Sequence, residues 1–111
     1  MKYLTRAEEL ILLAVFHLGE EACLVTIRRF LKSHTGRPWS VGAVYVPLER
    51  LRKKGYLTGF TGGPSARRGR NEIRYYKLSR EGFAALADHR RVSEAMWARF
   101  SESGYNAGGE G

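Results

Sequence analysis

Apolar positions along the chain fall into four runs with helical spacing and two short runs with strand character. Thr5-Arg6-Ala7-Glu8 has the spacing of a capping box, in which the threonine oxygen and the glutamate carboxylate satisfy free backbone N–H groups at a helix start. The first helix then runs to about Leu18, with Gly19 as its stop. From Leu10 to Phe16 it is apolar around its full circumference, and such a helix needs cover on every side. A central place in the core meets that need, and so does a second subunit against one face. A second helix is predicted from about Leu24 to His34, with Ile27, Phe30 and Leu31 on one face and Gly36 as its stop. After the linker Arg37-Pro38-Trp39, Ser40 caps a third helix that reaches Lys54 with a core stripe of Val41, Val44, Leu48 and Leu51, before Gly55. Pro47 removes a backbone hydrogen bond inside this helix and predicts a bend or an irregular turn.

Two β-rich runs follow, Tyr56 to Thr61 and Glu72 to Leu78, joined by a glycine- and arginine-rich segment that makes the tip of a hairpin. Tyr75 and Tyr76 point to opposite sheet faces, so only one is core; Tyr56 and Phe60 are also expected in the sheet core. Ser79 caps a fourth helix reaching Phe100. Within it Phe83, Leu86 and Ala87 centre on one direction and Val92, Met96 and Phe100 on another about 130° away. The first half is therefore expected to pack on its own domain and the second on another subunit. The expected organisation is a winged domain over 1–78, a dimerisation helix over 79–100 and a disordered, glycine-rich tail over 101–111.

Charge sharpens this outline. The chain has 111 residues and a formal net charge of +8, of which residues 40–78 carry +7. Positive charge spread for solubility alone would not concentrate in one third of the chain, so this segment is expected to meet a polyanion. Cys23 is the only cysteine, which excludes an internal disulfide and zinc sites built from several thiolates; burial in the core is expected. The run from Leu10 to Phe16 follows Glu8 and Glu9 directly and is too short for a membrane span, so a soluble cytoplasmic protein without a membrane partner is expected. His17, His34 and His89 have no metal-binding spacing and no phosphate-cradling glycine loop occurs, so neither an enzyme, a metal nor a cofactor is expected.

Three short helices, a two-stranded hairpin and a terminal helix, with cations on helix three and the hairpin, describe a winged helix-turn-helix, mostly α with a small β-hairpin wing (α+β). A DNA major groove about 12 Å wide accepts one helix while a neighbouring hairpin reaches adjoining phosphates or the minor groove. With Val44, Leu48 and Leu51 inward, helix three presents Gly42, Ala43, Val46, Pro47, Arg50 and Lys53, small residues that permit close approach followed by cations for phosphate or guanine. Tyr45 lies beside the core stripe, either packed or with its hydroxyl at the DNA backbone. Ser40 is first a cap and only secondarily a phosphate ligand; Arg37, Arg67, Arg68, Arg70 and Arg74 complete the candidate DNA-binding set. A solvated helix face and a solubilising loop are the plain alternatives for these cations.

These residues resemble the PadR-like transcriptional regulators. The resemblance rests on Glu9-Leu10-Ile11-Leu12-Leu13-Ala14, Ile27-Arg28-Arg29, Trp39-Ser40-Val41-Gly42-Ala43-Val44-Tyr45, Leu48-Glu49-Arg50-Leu51, Lys54-Gly55-Tyr56-Leu57, Arg70, Arg74-Tyr75-Tyr76-Lys77-Leu78 and Ser79-Arg80-Glu81-Gly82, over roughly residues 5 to 100. It departs at Pro47, one position later than the family's proline, and in having one short terminal helix rather than a larger effector domain. The resemblance implies a homodimeric bacterial-type repressor whose terminal helix and helix one make the dimer. Leu10, Leu13, Phe16, Val92, Met96 and Phe100 are the interface candidates, and Trp97 could stack on a small flat apolar effector between subunits. Such a dimer would occupy an inverted-repeat operator in double-stranded DNA. A small basic winged-helix module for RNA or for protein interaction is the alternative, although RNA binders expose aromatics for stacking.

Overall fold

The computed structural model describes residues 3–62 and 73–101, and in that span the elements are α1 (Arg6–Leu18), a short 3-10 turn (Gly19–Glu21), α2 (Leu24–Thr35), α3 (Val41–Lys53), β1 (Leu57–Gly62), β2 (Ile73–Leu78) and α4 (Arg80–Trp97). The capping box forms as the spacing requires: Glu8 N–H donates to Thr5 Oγ1 at 3.1 Å and Thr5 N–H donates to Glu8 Oε1 at 2.9 Å. Gly36 ends α2 in the left-handed conformation (φ 76°) that a side chain would strain.

The core is where α1, α2 and α3 cross and the hairpin closes over them. Ile11, Leu12 and Val15 meet Ile27 and Leu31, Val44, Leu48 and Leu51, with Leu57 and Tyr76 contributed by the strands. β1 and β2 pair antiparallel, with Leu57 opposite Leu78 and Gly59 opposite Tyr76. The connection between α1 and α2 extends this small sheet: Cys23 bridges to Tyr75, and Tyr76 N–H donates to the Ala22 carbonyl at 2.9 Å. Backbone groups at that edge of β2 are thereby paired, and Cys23 is buried as expected.

Several expectations are corrected. Val41, placed in the core stripe, is exposed, because as the first residue of α3 it precedes the crossing with α1. α3 runs through Pro47 as one unbroken helix, and Pro47 is buried. It stands three residues after Val44 and four before Leu51, which is the inward arc, so it cannot belong to a DNA-reading surface. α4 stops at Trp97 rather than Phe100, and Arg99 adopts a positive φ of 69° just beyond it. Phe83 and Ala87 are exposed, Phe83 with its ring centroid 6.4 Å from that of Phe16, and α4 packs on the body of the protein through Gly82, Leu86 and His89, one residue of each turn. Phe60 is exposed on the outer sheet face, stacked on the half-buried Tyr75 with ring centroids 5.8 Å apart, while Tyr76 is the core tyrosine.

Candidate nucleic-acid interface

α3 is held at both ends before its free surface is considered. At its start, Ser40 Oγ accepts the Ala43 N–H at 3.1 Å, so this hydroxyl is a cap, as its position implied. The linker before it is pinned by Arg28, whose Nε donates to the Trp39 carbonyl at 2.8 Å, and by Trp39 Nε1, which donates to Thr35 Oγ1 at 3.1 Å. At its end, Lys54 Nζ reaches Glu8 Oε2 at 3.2 Å, with Arg50 Nη1 3.9 Å from the same oxygen. Glu8 is only 1% exposed. Burial pushes its carboxyl up, but the Thr5 backbone N–H together with Lys54 and Arg50 outweighs that and holds it below its ordinary value. One carboxylate thus caps α1 and anchors the last turn of α3.

Between these ends the exposed arc of α3 contains Gly42, Ala43, Tyr45, Val46, Arg50 and Lys53, six of the seven residues expected on it or beside it; only Pro47 is missing. Arg37 is exposed in the linker. Arg50 is shared with Glu8 at the side of the helix, whereas no ion pair engages Lys53 among the described residues. The candidate wing residues Arg67, Arg68 and Arg70 lie outside the described residues, as does the tail beyond Ser101.

Glu49 joins the wing to α3. Its Oε2 accepts the Tyr76 hydroxyl at 2.8 Å, its Oε1 accepts Arg52 Nε at 3.0 Å, and Arg74 Nη1 stands 3.9 Å from Oε2. Burial raises the Glu49 carboxyl, but the Tyr76 and Arg52 hydrogen bonds and the charges of Arg52 and Arg74 prevail and lower it. Burial and the adjacent carboxylate both push the Tyr76 hydroxyl well above its ordinary 10.0, so it stays a donor. Sequence reasoning missed the roles of Glu49 and Arg52, for which their i,i+3 spacing was the available signal, and it foresaw Glu8 as a cap but not its tie to Lys54.

The interface candidates divide among three grooves. Leu13 and Phe16 line one with Phe83 and Leu86; Val92 and Met96 line a second with Tyr3 and Tyr56; Leu10 faces a third with Phe30 and His34. Phe100 packs edge-on against Trp97 at 4.9 Å, and Trp97 itself is 61% exposed. Among the described residues no group of three metal-ligating side chains occurs, and no helix is long and apolar enough to cross a membrane.

No protein-family model and no curated protein matches the chain. Solved structures do. RosR of H. salinarum is 25% identical, with 94% of this chain and 86% of that one covered at a TM-score of 0.62. A PadR family transcriptional regulator from Eggerthella lenta is 26% identical, covering 79% and 70% at 0.58. A transcriptional regulator from Clostridium thermocellum shares the fold at 17% identity, covering 86% and 90% at 0.64. Residue pattern, helix-hairpin order and solved neighbours agree: this chain has a winged-helix fold similar to that of PadR-like transcriptional regulators.

Proposed function

We propose that the chain is a sequence-specific double-stranded DNA-binding regulator, acting in the cytoplasm without enzymatic chemistry as a homodimeric repressor on an inverted repeat. The observation that carries this reading is the free arc of α3. Gly42 and Ala43 leave room for close approach in its first turn, Tyr45 and Val46 follow, and Arg50 and Lys53 place cations where the helix leaves a groove. Strand β2 of the wing is fastened to the same helix through Glu49, with Arg74 beside it; Arg37 and the sequence-assigned cations Arg67, Arg68 and Arg70 complete the proposed phosphate contacts. The exposed Phe16, Phe83, Met96 and Trp97 supply apolar surface for a second copy, and Trp97 is the residue on which a flat apolar effector would stack.

Selection of bound sequences from a random duplex pool tests specificity and symmetry together. The expected product is an approximate inverted repeat with half-sites about one helical turn apart, whose affinity falls with salt at a slope near −0.9 per neutralised phosphate. Replacing Arg67, Arg68 and Arg70 by alanine lowers affinity on all duplexes alike, while Arg50→Ala also alters preference. The exposed Phe60 is the observation that favours an RNA-binding module instead. Single-stranded RNA outcompeting the selected duplex would establish that rival, and no retention on DNA at low salt would leave a protein-interaction module.

A further inference from the structure

Arg52 and Arg74 come from different elements, the last turns of α3 and strand β2, yet both lie over the same point of β1. That point is Gly59: a β-carbon there would stand 3.4 Å from Arg52 Cδ, 3.5 Å from Arg74 Nη1 and 3.6 Å from Arg74 Cδ. Glu49 lies between the two guanidinium groups, one carboxylate oxygen toward each, and the Tyr76 hydroxyl fixes the carboxylate from beneath. The side chains of Arg52 and Arg74 are 35% and 50% exposed, so their outer N–H groups reach solvent while the inner ones are oriented by Glu49. Two cations share one anion, which leaves the cluster a net +1 and several unspent donors aimed outward at the seam between the reading helix and the wing.

We propose that Arg52 and Arg74, laid across Gly59 and oriented by Glu49, form a two-pronged site for one phosphodiester of the DNA backbone where it passes between α3 and the wing. The site rests on the DNA-binding reading above and adds to it a fixed docking point. Glu49 is a positioning residue in it: it meets no phosphate, and its charge alone would repel one. An arginine fork held in place beforehand loses less side-chain freedom on binding than the same arginines on flexible stems.

The test uses the full chain and the duplex recovered by selection, with a scrambled duplex of equal length. Arg52→Ala and Arg74→Ala should each weaken binding to both duplexes by about tenfold and flatten the salt slope by about 0.9. Glu49→Gln raises the net charge by one, so long-range attraction alone would tighten binding; loss of orientation predicts weaker binding, by about three- to tenfold. Gly59→Val keeps every charge and favours the strand, yet its branched side chain displaces both arginines, so it should weaken binding to a like extent with its melting temperature retained. Wild-type protein that ignores duplex DNA would overturn the DNA reading and this site with it. Wild-type protein that binds normally, with Arg52→Ala and Arg74→Ala matching it or Glu49→Gln binding as well or better, would overturn this site alone.

Discussion

Gly82, in the first turn of α4, sets how closely the terminal helix approaches the rest of the protein. A β-carbon there would fall inside the van der Waals shell of the Tyr56 carbonyl oxygen, 3.0 Å from the Tyr56 carbonyl carbon and 2.9 Å from Leu78 Cδ1. Alanine ordinarily gains up to about 1 kcal/mol over glycine within a helix. At Gly82 the obstacle is backbone, and that carbonyl also accepts the Ser79 N–H at 3.1 Å, so relief requires moving α4 or giving up the bond. Overpacking of this kind costs about 1–3 kcal/mol and a lost hydrogen bond about 1 kcal/mol more. Gly82→Ala is therefore expected to destabilise the protein by about 2–3 kcal/mol, lowering the melting temperature by about 10 °C or more for a chain of this size. Gly42→Ala is the internal control: it too is helical, but nothing lies within 4 Å of its β-carbon position, so a small stabilisation is expected. The added methyl would also intrude on the reading arc, raising stability while weakening DNA binding. Circular dichroism melts of the three proteins decide the point. A Gly82→Ala melt at or above wild type would refute the close approach of α4.

Two further expectations concern charge and assembly. Glu8 and Glu49 are both held below their ordinary 4.5, so the folded state binds fewer protons than the unfolded chain. Their contribution is complete above about pH 4.5 and is lost as pH falls through the folded values; Glu8→Gln should flatten the dependence of the denaturation midpoint between pH 6 and 3. In a Trp39→Phe background, Trp97 alone reports on α4. Its emission should shift to the blue with rising protein concentration as a second copy covers it, and a spectrum independent of concentration would count against the homodimer.

Elements with strong local chemistry were legible in the sequence: the Thr5–Glu8 box, the Ser40 and Ser79 caps and Gly36 all behave as their residue types require. The exposed arc of α3 was legible as well, because Val44, Leu48 and Leu51 fix the inward direction of the wheel. Pro47 differs from the expectation because its angle on the wheel, beside Val44 and Leu51, decides its burial, whereas its missing N–H does not. Phe83 and Phe60 were misread because apolar character alone does not say that a partner surface exists to cover them. The long-range ties, Lys54 to Glu8 across 46 residues and Tyr76 to Glu49 across 27, depend on how α1, α3 and β2 meet, and no local pattern encodes that.

The buried carboxylate at the start of α1 has a mechanical corollary. Because Glu8 grips both the Thr5 backbone and the Lys54 ammonium, α1 cannot tilt without dragging the last turn of α3 along. A load applied to α1 at the groove lined by Leu13 and Phe16 would be passed on to the orientation of the helix that would enter a DNA groove. In a homodimer of the kind proposed, the spacing between two such helices would be a property of how the pair is assembled, not of a loose tether between separate parts.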